Sequence, residues 1–207
     1  MITRRDALAA LAALGAVTVG RVAPAFAHHG GESVGADDMV LGEAGAPVTI
    51  LEYSSLTCPH CANFHNDTLP RIKERYIDSG KARLVYRDFP FDRVGVLAAA
   101  VAHCAGRDKY FGFLEVLFRT QKSWARAEDP VEALARVSRL GGLKRDAIDV
   151  CIADQELLDR ILASRLNGAK EFGINSTPTF IINGEKLVGA QPFERFEEIL
   201  EGLLSQS

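Results

Sequence analysis

Thr57-Cys58-Pro59-His60-Cys61 follows the β-rich run Val48-Thr49-Ile50-Leu51-Glu52-Tyr53 and precedes a helix-like run from Ala62 to about Ile77. A C-x-x-C at a strand-to-helix junction reads as a thiol–disulfide site. The first sulfur then sits at a helix N-terminus, where free N–H groups and the helix dipole favour its thiolate. The same spacing also supplies half of a zinc site. The rest of the chain has to decide between redox chemistry and metal.

Downstream, Asp78-Ser79-Gly80 ends the helix, since glycine is a natural terminator. Ala82-Arg83-Leu84-Val85-Tyr86-Arg87 alternates as a second strand. Strand, helix, strand is a βαβ unit, which predicts parallel strands and a right-handed crossover. From Val94 to Phe172 the pattern is helical. Leu97, Val101 and Cys104 recur at helical spacing, and Tyr110 to Phe118 carries an apolar stripe with Phe113, Leu114 and Leu117. Such a stripe reads as core rather than as a ligand platform. Asp129-Pro130-Val131-Glu132 is a helix start, and Gly141-Gly142 breaks that helix. Ile148, Cys151 and Ile152 mark another helix; Leu157, Ile161, Leu162 and Leu166 continue a long one toward Phe172. Thr179-Phe180-Ile181-Ile182, the turn Asn183-Gly184 and Lys186-Leu187-Val188 predict a β-hairpin. Pro192 opens an amphipathic helix carrying Phe193, Phe196, Ile199, Leu200 and Leu203.

Upstream, residues 28–47 are rich in Gly, Ala, Asp and His. They read as a loose leader with room for one edge strand at Met39-Val40-Leu41. The first 27 residues read as a cleaved export signal. Arg4-Arg5 starts it, an apolar run reaches Gly20, and Ala25-Phe26-Ala27 ends it, so His28 would be the first mature residue. The paired arginines point to twin-arginine export, and the apolar run is short for a membrane span. Losing Arg4, Arg5, Arg21 and Asp6 moves the net charge from −3 to −5. Nothing in that charge supports nucleic-acid binding or a polybasic membrane contact. The full chain has 47% hydrophobic and 25% charged residues, which reads as globular, with residues 48–207 as one domain. Cys58, Cys61, Cys104 and Cys151 make an even set in an exported chain, which favours disulfides over metal.

The order βαβ, helical block, β-hairpin and helix, with Cys58-Pro59-His60-Cys61 at the first helix, resembles the thioredoxin fold. The helical block at about 92–172 is longer than that core needs. With the Cys-Pro-His-Cys motif it resembles the DsbA-like family of exported disulfide oxidoreductases over roughly residues 40–205. The expected architecture is α/β: a thioredoxin fold with an all-helical insertion between the second core strand and the strand after Pro178. The resemblance implies that Cys58 and Cys61 are catalytic and need no cofactor. It implies that the substrates are reduced, folding exported proteins, and that a DsbB-like membrane partner reoxidises the enzyme. The chain is expected to act as a periplasmic or otherwise exported monomer.

Further residues match the family pattern. Thr177-Pro178 stands where thioredoxin-like folds place a cis-proline beside the cysteines, next to a substrate strand. Glu52, six residues before Cys58, either faces solvent or is a buried acid relaying a proton to Cys61. The family carries an acid at the matching position. His60, with Pro59, would tune the Cys58 thiolate and tilt the couple toward donating disulfides. Cys104 and Cys151 either bridge two insert helices or stand as separate buried thiols; an oxidising compartment favours the bridge. Two rivals stay open. Thr177 before Pro178 is compatible with an isomerase or reductase. Cys58, Cys61, His60 and His65, or His28 and His29, offer ligands for copper or zinc.

Overall fold

The computed structural model describes residues 33–206. The expected export signal, its cleavage point, His28 and His29 lie outside the described residues. Five strands form one mixed sheet in the order β1-β3-β2-β4-β5. The strands are β1 (Met39–Leu41), β2 (Val48–Ser54), β3 (Ala82–Asp88), β4 (Thr179–Ile182) and β5 (Glu185–Val188). β2 and β3 run parallel, as a βαβ unit requires, and the other pairings are antiparallel. The hairpin turn has Asn183 at φ 44° and Gly184 at φ 95°. Both central residues are therefore left-handed, the turn that matches the twist of paired strands.

Residues 59–77 form one helical run, α1. Two wide π stretches, Phe64–Thr68 and Lys73–Ile77, interrupt its α-helical turns. Pro70 follows the first of them. A proline has no N–H to give and its ring crowds the preceding turn, which accounts for the widening there. The run begins at Pro59, three residues before the apolar pattern suggests, because Cys58 is itself the cap residue.

Alternation along β2 sends Val48 and Ile50 to one face and Leu51 and Tyr53 to the other. The first face packs with Phe64, Ile72, Tyr76, Phe180, Phe196 and Leu200, under α1 and the closing helix α8 (Phe193–Leu204). The second packs with Val85, Phe89, Ile174 and Ile181. The insert contributes α2 (Arg93–Cys104), α3 (Tyr110–Arg119), α4 (Gln121–Trp124), α5 (Pro130–Leu140), α6 (Arg145–Ala153) and α7 (Gln155–Phe172). These helices enclose a third core of Val101, Phe113, Leu114, Leu117, Phe118 and Trp124, which reaches Cys61 and Tyr86. Each such side chain contributes roughly 1.5–3 kcal/mol when removed from water.

The leader supplies the edge strand expected at Met39–Leu41 and is tied to the sheet from Ser33 onward. Arg87 grips Asp38 with two hydrogen bonds of 2.9 and 2.7 Å, and β1 pairs along β3. A bidentate ion pair between partly buried partners outweighs the low apolar content of the segment. On α7, Leu157 and Ile161 are buried, but Leu162 and Leu166 are exposed beside Phe91. Among the described residues no helix is long and apolar enough to cross a membrane.

Candidate active site

Cys58 caps α1 in an extended conformation, φ −81° and ψ 121°. That conformation turns its sulfur toward the first free N–H groups of the helix. Cys58 and Cys61 stand as free thiols, so the reduced pair is the form seen. Cys58 is partly exposed and Cys61 fully buried. The Cys58 thiol is pulled down to about 5, first by a hydrogen bond from the Cys61 thiol. Partial burial opposes the shift, while Thr177 and the backbone N–H groups of Cys61 and His60 add to it. As a thiol, Cys58 donates to the Thr177 carbonyl at 3.4 Å. The buried Thr177 hydroxyl oxygen has no hydrogen-bond partner among the described residues. Burial pushes Cys61 well above the ordinary thiol range, and its bond to Cys58 and the charge on Cys58 push the same way. The Ser55 N–H donates to Cys61 Sγ at 3.5 Å. One sulfur is thus a ready nucleophile and leaving group, and the other is held protonated. The Thr177–Pro178 peptide bond beside them is cis.

Glu52 shares the β2 face of Val48 and Ile50, so it points into the core under α1. It is completely buried, and its Oε1 lies 2.9 Å from His65 Nε2. His65 is buried too, on the π stretch of α1, stacked on Phe118 with ring centroids 4.1 Å apart. Glu52 Oε2 has no partner among the described residues. Strand register places Glu52 beside Tyr86 and Phe180. The buried Tyr86 hydroxyl is pushed far up by desolvation, then by the charges of Asp88, Tyr110, Glu52 and Cys61. Glu52 and Cys61 therefore lie within electrostatic reach of one hydroxyl.

The sequence profile of a thioredoxin family matches residues 35–202. The crystal structure of Wolbachia pipientis α-DsbA1 superposes with a TM-score of 0.78 at 33% identity, covering 84% of this chain and 94% of that one. The chain belongs to the thioredoxin family, on its DsbA-like branch. A Rickettsia bellii protein named as a protein-disulfide oxidoreductase is 30% identical over 149 residues, 72% of this chain. The match spans only 58% of the Rickettsia protein. The disulfide bond formation protein D of Bacillus subtilis is 25% identical over 173 residues, 78% of this chain and 75% of that protein.

Within this DsbA-like frame the structure gathers Cys58, Cys61, Thr177 and Pro178 at one point. Pro59 and His60 are exposed on the first turn of α1. His60 reaches the Cys58 sulfur through its backbone N–H, and its imidazole is not among the groups that lower Cys58. The His60 ring itself is exposed beside the cap. His65, weighed as a metal ligand, turns to Glu52 instead. Among the described residues no group of three or more His, Cys, Asp or Glu is placed to hold a metal ion. Cys104 and Cys151 are bridged, with Cα atoms 6.1 Å apart, and tie α2 to α6.

His65 is named from the sequence only as a metal ligand and not as the partner of Glu52, and neither Tyr86 nor Gln121, which donates to the Leu56 and Cys58 carbonyls, is named there as part of the site. His65 was legible as a neighbour of Cys61, four residues on along the same helix face. Tyr86 was legible as an inward position of β3. Gln121 gave no signal, because a lone glutamine in the insert reads as surface.

Proposed function

We propose that this chain is an exported thiol–disulfide oxidoreductase that donates the Cys58–Cys61 disulfide to reduced, folding proteins. The observation that carries the reading is the asymmetry of the pair: Cys58 lowered to about 5, Cys61 buried and raised. A stabilised thiolate favours the reduced enzyme, and so makes its disulfide the stronger oxidant. A substrate thiolate attacks Cys58 Sγ and forms a mixed disulfide, and Cys61 leaves and takes a proton. A second substrate thiolate then attacks the substrate sulfur of the mixed disulfide. Cys58 departs as a thiolate, the substrate loses two electrons, and the enzyme is left reduced. Glu52, buried against His65, supplies the proton to Cys61 and takes it back on reoxidation. Thr177 and Pro178 line the substrate's approach. A DsbB-like membrane partner restores the disulfide, and export places the reaction in an oxidising compartment such as the periplasm.

The test is oxidation of reduced ribonuclease by the oxidised mature protein, set against refolding of scrambled ribonuclease. Stoichiometric disulfide transfer that Cys58→Ser abolishes supports the reading. Efficient rescue of the scrambled form with poor oxidation of the reduced form would replace it with an isomerase.

A further inference from the structure

Gln121 belongs to the helical insert, far in sequence from the cysteines, yet its side chain ends on their loop. Its Nε2 donates to the Leu56 carbonyl at 2.8 Å and to the Cys58 carbonyl at 2.9 Å. A carboxamide nitrogen carries two hydrogens, so each carbonyl can take one. One carbonyl belongs to the peptide link before Thr57 and the other to the link after Cys58, so the single amide bridges the two residues Thr57 and Cys58. Gln121 is buried, as is Leu56. Bonds formed away from water are costly to lose, and the Cys58 carbonyl takes this one beside the Ala62 N–H of the first helical turn, at 3.2 Å.

The amide is itself held still. Trp124, fully buried, donates its indole N–H to the Leu117 carbonyl at 3.0 Å, and the Thr120 hydroxyl donates to the Val116 carbonyl at 2.7 Å. These bonds fix the α3–α4 junction from which Gln121 projects. On the other side, the Cys58 N–H donates to Ser55 O at 3.1 Å, and Thr57 Oγ1 donates to Asp92 at 2.8 Å. The loop is thus clamped by two parts of the insert at once, the α3–α4 junction and the start of α2.

We propose that Gln121 is a positioning residue for the Cys58 thiolate. The low Cys58 value depends on the sulfur facing Cys61, Thr177 and the N–H groups of Cys61 and His60. That facing depends on the Cys58 backbone that carries the side chain, and Gln121 holds the carbonyl of that residue. The electropositive end of its amide also lies on the cap residue. Without it the Cys58 carbonyl keeps only the Ala62 N–H, the cap peptide is held less tightly, the sulfur spends more time off its donors, and the thiolate is less stable. The insert therefore contributes to the redox property of the couple as well as to the core. The inference rests on the reading of Cys58–Cys61 as a redox pair, but its test uses no protein substrate.

The experiment titrates the Cys58 thiolate by absorbance at 240 nm, and measures the equilibrium of the couple with glutathione. Wild type is compared with Gln121→Met, which keeps the volume and removes both donors, and with Gln121→Glu, which keeps the shape. In the Met variant the Cys58 midpoint is expected to rise by about half to one pKa unit, the worth of one ordinary hydrogen bond. The glutathione equilibrium should move roughly three- to tenfold toward the oxidised protein, following the same shift. The Glu variant should rise at least as far, since a carboxylate cannot donate to both carbonyls. A merely structural glutamine would lower the melting temperature and leave both readouts at wild type. Folded variants with an unmoved midpoint overturn the proposal, as does failure of both variants to fold. Loss of ribonuclease oxidation by the wild type would instead count against the function proposed above.

Discussion

At the residue scale, the two cysteines of one motif differ in almost everything but distance along the chain. Cys58 collects donors at the mouth of a helix; Cys61, one turn on, faces the core. Reduced protein should therefore show a thiolate transition near pH 5 at 240 nm, belonging to Cys58, with Cys61 silent to well above neutrality. The stability consequence has a definite sign. A folded value below the unfolded thiol range stabilises the reduced fold fully above that range. The stabilisation is lost as pH falls through about 5. The oxidised protein lacks this titration. The melting temperature of the reduced form relative to the oxidised form should therefore decline between about pH 9 and pH 5. A gap independent of pH would show that the thiolate is not stabilised by folding. Glu52 makes a second expectation. Glu52→Gln keeps a hydrogen-bonding partner for His65 but removes the exchangeable carboxyl proton. The step in which Cys61 leaves should slow about tenfold or more, within the range of general acid catalysis. Stopped-flow rates equal to wild type from acid to alkaline pH would remove Glu52 from the mechanism.

At the element scale, α1 and α7 hold the site by close contact with β2. On α7, Gly168 lies against the Tyr53 ring. A Cβ there would fall 2.5 Å from Tyr53 Cε1. The ring cannot retreat easily, because its hydroxyl accepts from Arg87 at 3.0 Å and Phe89 packs on it edge-on. Gly168→Ala gains about 1 kcal/mol of helix propensity. It loses about 1–3 kcal/mol to overpacking. Because the ring is fixed the loss should win, and urea denaturation should show net destabilisation. A stabilised variant would mean that α7 can shift away from the sheet. The helix starts were easier to read than such contacts. Asp129 accepts from the Glu132 N–H at 3.0 Å, as the spacing of the two residues predicts. The break at residues 64–68 was less legible, although Pro70 announces it, because propensity alone does not say whether a helix widens, kinks or stops.

At the scale of the whole molecule, the fold is a five-stranded sheet with three apolar cores, one of them built by the insert around Cys61. The Cys104–Cys151 bridge pins α2 to α6 at the rim of that core, closing 47 residues of chain. Loop closure of that length gives an upper bound of roughly 4 kcal/mol. Cys104→Ala with Cys151→Ala should accordingly lose about 2–4 kcal/mol in chemical denaturation under oxidising conditions. An unchanged midpoint would show that packing alone holds the two helices.

The boundary between sequence and tertiary structure runs through Cys58-Pro59-His60-Cys61. The order of elements, the hairpin turn, the helix start at Asp129 and the identity of the reactive pair follow from local rules: alternation, capping, turn chemistry and the C-x-x-C spacing. Whether Glu52 faces solvent or core is left open by the sequence, and the burial of both faces of β2 decided it. Tertiary structure alone brought Gln121 of the insert onto the Leu56 and Cys58 carbonyls, set His65 against Glu52, and buried Cys61 while leaving Cys58 partly open. The reason is that hydrogen bonds and burial act over a few ångströms of space, while a sequence records neighbours only along the chain. The motif says where the chemistry is; the fold around it sets how strongly each thiol holds its proton.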